Sequence, residues 1–430
     1  MTFTQMICVL CCTPQEMMMK LRYLAGFTMM ALAAGSASAA EANSVAEAVK
    51  QGTVKVDARL RYEMVDQDDA AKDADALTLR TRLTFETAQV NGFSGLIEFE
   101  DSRDVFGVND YNDTNGKNSD HAKIVDPNTT ELDQAFIRYQ NDMVKATVGR
   151  QVITMDNHRF VGHVGWRQDR QTFDGVNLIH TPTKDLSLQY VYINQRNRIF
   201  GEEKDVDSED HLVNLGWKTG LGKLTAYAYL LDNDQVDNDN LDTYGVRFAG
   251  KTKAADMPLN YQFEYAMQEN EANDADTNYY LAEVGTAFMG VNAKLGYEVL
   301  GSDDGKGGFA TPLATLHKFN GWADQFLGTP TEGLQDMYIN LSTKVLGGKF
   351  AVVYHDFTTD HEFAGNTSDD AGSEFDVAFS KKFGKNYNAG IKYAAFSAGD
   401  AKFQKVANGV ATYKAKVDAD KVWIWVGASF

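Results

Sequence analysis

Between Lys145 and Val176 the chain reads KATVGRQVITMDNHRFVGHVGWRQDRQTFDGV. Arg150, Arg159, Arg167 and Arg170 stand in it, interleaved with His158, Phe160, His163 and Trp166. A guanidinium is a planar, permanently charged donor that grips a carboxylate through two bonds. Aromatic faces suit sugar rings and guanidinium planes. A polyanionic carbohydrate would need that combination. The competing explanation is a solvated loop with incidental cations, because charge runs are usually solvated faces.

Arginine is unevenly placed. Beyond residue 39 there are 13 arginines, and 12 of them lie between Arg59 and Arg198, with Arg247 alone further on. By strand parity Arg59, Arg61, Arg80 and Arg82 point to one interior from adjacent strands, and Arg138 joins them. Arg150, Arg159 and Arg167 are placed above or beside this group, which completes the candidate substrate-binding set. The facing wall would offer Glu264, Glu283, Glu298, Glu374 and Asp376. Such walls of charge set selectivity in a pore. The alternative is a ladder of Arg–Asp/Glu pairs, with Asp57 and Glu86 close by, that satisfies the wall alone.

Other chemistry finds less support. The eight histidines are scattered and no G-x-S-x-G occurs, so a surface enzyme with a Ser–His–acid site lacks its nucleophile. No catalytic residue, metal ligand or cofactor is expected. Asp232 to Asp242, DNDQVDNDNLD, lacks the sixth-position glycine and terminal glutamate of a calcium loop. It reads as an acidic external loop, with weak binding of divalent ions left open. Trp423 and Trp425 face the interior by parity. They suit either sugar stacking or, the preferred expectation, packing against a short helix within Ser44 to Gly52.

The elements that position these residues announce themselves by alternation. Val54, Val56, Ala58, Leu60 and Tyr62 share one face against Lys55, Asp57, Arg59, Arg61 and Glu63. The same period of two recurs through Leu259–Met267, Val291–Val299 and Met337–Val345, with a charged opposite face each time. Segments of about 10 residues fit tilted membrane-crossing strands. Short connections, led by the Asn91-Gly92 hairpin turn, alternate with long acidic ones. Eight turns and nine loops join 18 strands, an outer-membrane barrel pattern that returns both ends to the periplasmic side. The strand KVWIWVGASF ends in Phe430, resembling the signal read by the barrel-assembly machinery. The Gly301–Leu334 connection carries Phe309, Leu313, Leu316, Phe319, Trp322, Phe326 and Leu327, too much apolar surface for water, and should fold over or into the barrel.

The ends of the 430-residue chain differ in kind. Lys20 and Arg22, the run Leu24–Gly35 and the Ala37-Ser38-Ala39 site predict a secretory signal peptide over residues 17–39. Residues 1–16 read as a misassigned extension, 40–52 as a periplasmic segment and 53–430 as the barrel. Cys8, Cys11 and Cys12 all fall in the extension, so the mature chain would rely on no disulfide. Losing Lys20, Arg22 and Glu16 leaves 39 cations against 59 anions, net −20, which argues against nucleic acid as partner.

The stretches ARLRYEMVDQ (58–67), LTLRTRLTFET (77–87), GRQVITMDNHRFVGHVGWRQDRQTFDG (149–175) and TPLATLHKFNGWADQFLGTP (311–330) resemble the alginate-export family of bacterial outer-membrane porins, in a compact form. The resemblance implies an all-β, antiparallel, 18-stranded monomeric barrel in the Gram-negative outer membrane. It also implies an arginine-rich constriction passing an anionic uronate oligo- or polysaccharide by diffusion. Outer-membrane lipid and lipopolysaccharide would surround it. A general or other anion-selective porin is the runner-up, ahead of a barrel enzyme or receptor.

Overall fold

The computed structural model describes residues 42–236, 239–254, 257–362, 368–407 and 410–430. The proposed extension and signal peptide lie outside them. The strands are β1 Thr53–Gln67, β2 Ala74–Glu86, β3 Phe93–Asp110, β4 Thr129–Gln140, β5 Val144–Gln151, β6 Thr172–Thr183, β7 Leu186–Asn197, β8 Val206–Lys218, β9 Lys223–Leu231 and β10 Leu241–Ala254. They continue as β11 Met257–Asn270, β12 Ala275–Phe288, β13 Val291–Leu300, β14 Leu334–Val345, β15 Gly348–Thr358, β16 Asp370–Phe383, β17 Tyr387–Ala398, β18 Lys402–Ala407, β19 Val410–Ala415 and β20 Ala419–Ser429.

Each strand from β1 to β16 pairs antiparallel with the next. β20 pairs with β17 on one side and with β1 on the other, from Asp57↔Ser429 to Gln67↔Ala419. The 18 strands therefore close into a barrel with no free edge, while β18 and β19 form a separate hairpin in the last long connection. Closure is what a membrane demands, since no strand edge can be left unpaired in lipid.

Alternation explains the two faces. Ile137, Val148, Leu295, Ile339, Leu341, Ile391 and Ile424 stand exposed on the outside, an apolar belt for hydrocarbon. Their sequence neighbours turn inward. The short connections are tight and gather at one end of the barrel. Asn91-Gly92, Met289-Gly290 and Leu346-Gly347 have positive φ at both positions (46° and 86°, 48° and 82°, 51° and 76°), the mirror-image turn whose twist suits a hairpin.

The short helix α1, Val45–Lys50, is capped by Ser44, whose Oγ accepts from Glu47 N while Glu47 Oε2 accepts from Asn43 N at 2.9 Å. It lies against the β2–β3 connection, Ala48 packing with Ala88 and Val90.

Two long connections do not stay outside. Residues 152–171, between β5 and β6, and 301–333, between β13 and β14, join in the lumen. Gly162 N donates to Leu313 O at 2.7 Å and Thr315 N to His158 O at 3.1 Å. Phe160, Phe309, Leu313, Ala323 and Phe326 form one apolar core with the inner wall residues Phe173, Ile193, Tyr227, Tyr279, Phe357 and Trp423. The apolar content of 301–333 drives this, as expected. The β18–β19 hairpin closes over the same core, with Phe403 against Phe326 at 6.0 Å.

Candidate functional site

The arginines of β1 and β2 meet in the lumen because register puts them there. Arg59 stands directly opposite Arg80, and Asp57 opposite Arg82. Like charges directly opposite destabilise a sheet, so each must be answered. Arg80 pairs with Asp57 and Arg82 with Glu100. The fully buried Arg61 pairs with Asp126 and, at 3.3 Å, with Glu63. Arg138 reaches Glu86 at 3.3 Å. Arg59 differs. Its donors go to neutral acceptors on the 152–171 loop, Gln168 Oε1 at 3.0 Å, Trp166 O at 2.8 Å and Arg167 O, with no carboxylate in ion-pair reach among the described residues.

Arg159 and Arg167 belong to that loop and act as staples. Arg159 donates to Glu298 on β13 at 2.8 Å and to Asn320 at 3.0 Å. Arg167 grips Glu63 on β1 at 3.1 and 3.2 Å and Asp324 at 2.8 Å. Arg170 grips Asp133 and Glu98 on the wall. Burial favours neutral Arg167, but Glu63, Asp324 and Asp126 outweigh it and hold the guanidinium more strongly charged than usual. Burial, with Glu100 and Glu131 nearby, pushes the Asp169 carboxyl well up.

Arg150 does not join the group. It shares the face of Val148, two residues earlier and exposed on the outer surface, and its two-bond pair with Asp174 at 2.7 and 3.0 Å lies on that outer face near the loop end of β5. The placement above or beside the lumen arginines is corrected by the strand's own period of two.

A second centre was not foreseen. The Lys392 ammonium, from β17, stands 3.7 Å from the Trp322 ring centroid, 4.5 Å from Trp166 and 5.4 Å from Trp423. It lies 2.7 Å from His317 Nε2, and His317 Nδ1 is 2.6 Å from Asp324 Oδ1. Burial first, and the facing Lys392, push the His317 imidazole down to about 3, so Nδ1–H donates to Asp324 and the Nε2 lone pair accepts from Lys392. Asp324 is held far below the usual carboxylate range despite its burial, chiefly by His317 and Lys421. Cation–π contacts and this chain of hydrogen bonds tie both inward loops to one wall. His317 and Trp322 lie in the fourth family-like stretch, which was the available signal. Nothing local marks Lys392.

Trp423 and Trp425 do face the lumen, but they pack edge-on to Trp166 at 5.8 and 5.5 Å. The expected packing against the N-terminal helix is corrected: α1 sits at the β2–β3 turn, and the inward loop fills the space instead. Glu298 and Glu374 anchor loops, the latter accepting from Ala323 N at 2.7 Å. Glu264 accepts from Tyr227 and Glu283 from Tyr338. Asp376 is buried beside His355 at 3.9 Å. In the Asp232–Asp242 loop, Asn233 donates to Asp239 at 3.0 Å, and residues 237 and 238 lie outside the described set. Among the described residues no carboxylate or histidine group is arranged to hold a metal ion.

Solved structures of similar fold are outer-membrane proteins. Pseudomonas aeruginosa OccK9 (OpdG) superposes with a TM-score of 0.66 at 12% identity, over 89% of this chain and 100% of that one. Acinetobacter baumannii OccAB4 gives 0.64 at 13%, over 88% and 98%. Pseudomonas aeruginosa OpdK, in a structure with vanillate, gives 0.62 at 12%, over 88% and 99%. No curated protein matches the sequence. The alginate export family matches residues 51–301, more than half of the chain and all of the arginine-bearing wall. With the closed 18-stranded barrel, that match makes this chain a member of the alginate export family and an outer-membrane channel of Gram-negative type.

Proposed function

We propose that the protein is a monomeric diffusion channel for anionic carbohydrate, a uronate oligo- or polysaccharide. Arg59, Arg80 and Arg82 would be the inner contacts, with Arg61 and Arg138 beside them and Arg159 and Arg167 holding the loop that narrows the passage. The observation that carries this is Arg59, directly opposite another arginine and without a carboxylate among the described residues. A passing carboxylate is the charge that would complete it, by two-bond contacts weak enough to release.

A second reading is a channel for small carboxylates. It draws on the two loops that fill part of the lumen and on the neighbour solved with vanillate. Reversal potentials in planar bilayers under a salt gradient test the shared claim of anion preference, for wild type, Arg59→Glu and Arg80→Glu/Arg82→Glu. Anion preference in wild type and its loss in the variants is expected. A cation-selective wild type would mean the arginines serve the wall alone. Block by oligouronates but not by benzoate-like acids separates the two readings.

A further inference from the structure

Apart from Arg59, the lumen arginines are answered by carboxylates, so most of the uncompensated positive charge of the pore lies elsewhere. It lies at the end of the short turns. Lys218 on β8 stands directly opposite Lys223 on β9, and Lys344 on β14 directly opposite Lys349 on β15. Both pairs flank periplasmic hairpin turns. Parity turns all four inward. Lys218 follows Asn214 and Gly216 on the inner face while Leu215 and Trp217 are exposed outside, and Lys344 follows Asn340 and Ser342 while Leu341 is outside. Lys55 on β1 and Lys382 on β16 hold the corresponding inner positions on other walls. Lys223 reaches Asp156 at 3.3 Å. The other five have no carboxylate in ion-pair reach among the described residues, and all five are exposed.

Two in-register lysine pairs are a standing cost in a sheet, where an opposite charge at either position would relieve it. They recur at the same level and are spread around the circumference, which makes a ring rather than one charged wall. The net −20 of the chain beyond residue 39 is carried elsewhere, much of it on the long external loops.

We propose that this lysine ring is a docking site for multiply charged acidic saccharides presented from the periplasm. The inference rests on the anion-carbohydrate channel proposed above and adds a side to it: cargo is gathered at the short-turn mouth before it meets the arginines. Several exposed ammonium groups around a water-filled mouth raise the local concentration of a polyanion far more than that of a monoanion. Lysine, a flexible point charge, suits gathering, whereas the planar arginine fork suits registration deeper in.

The test is block of single-channel current by a tetrameric oligouronate added to one side at a time. Orientation is read from one-sided biotinylation of Leu346→Cys at the periplasmic turn. In wild type, block from the short-turn side should need at least tenfold less oligouronate than block from the loop side. Lys218→Glu/Lys223→Glu/Lys344→Glu/Lys349→Glu should abolish that difference, and the same four changed to glutamine should reduce it by about half on a logarithmic scale. Heat-modifiable gel mobility confirms the folded barrel in each variant. Equal block from both sides in wild type, or a side-dependence unchanged in both quadruple variants, overturns the ring while leaving anion preference and Arg59 intact. A wild type that prefers cations and ignores oligouronate overturns the channel reading, and the ring with it.

Discussion

At the scale of single residues, charge in this barrel is settled in pairs. Arg167 sits between Glu63 and Asp324, all of them buried. Removing one partner of such a network leaves uncompensated charge out of water, a loss of about 3–5 kcal/mol. Arg167→Leu should therefore lower stability by that order, read from urea unfolding of the reconstituted protein. Arg150→Leu, on the outer face, should cost well under half as much. His317 gives a pH dependence with a defined sign. Its folded-state affinity for protons lies near 3, below the ordinary value near 6.5. The unfolded or released loop binds the proton first, so acidification weakens the native arrangement, beginning below about pH 6.5 and levelling near 3. Asp324, also depressed, adds a loss of the same sign below about pH 4. The protection factors of amides 315–326, which take out the slower intrinsic exchange at low pH, should fall on going from pH 7 to pH 5, and His317→Gln should flatten that response.

Among the elements, the two inward loops decide the width of the channel. Gly162 lets them touch: a Cβ there would meet Thr315 N at 2.7 Å, where backbone cannot yield. Gly162→Val should separate the loops and raise single-channel conductance without altering the barrel's gel mobility. Slow amide exchange through residues 309–326 is expected in wild type, since Phe309, Leu313, Ala323 and Phe326 are buried. Trp322→Ala should loosen the same segment by opening the cage around Lys392.

For the whole molecule, position outweighs net charge. Exposed charges beyond about 10 Å are screened at 0.1 M salt, whereas groups between low-dielectric walls are not. Neutralising Asp232 and Asp234 on their external loop should leave the reversal potential unchanged at that salt, though it removes two negative charges. Reversing the lumen pair Arg80 and Arg82 should change it.

The strand count, the order of turns and loops, the two faces of the wall and the burial of the 301–333 connection were all legible in the sequence. Their causes are local. A period of two assigns faces, turn residues set hairpins, and sequence-adjacent strands pair, which is why Arg59 and Arg80 could be placed side by side. Arg150, expected beside the lumen arginines, is turned outward by that same rule, since it shares the face of Val148. What the tertiary structure decided was which charges are spent. Arg159 meets Glu298 across 139 residues and Arg167 meets Asp324 across 157. Trp166 takes the place beside Trp423 and Trp425 that a helix was expected to fill, and Lys392 finds three tryptophans from three separate segments. No period encodes such meetings. They follow from where two long loops come to rest once the wall has closed around them, because only then do burial and pairing select one partner for each charge.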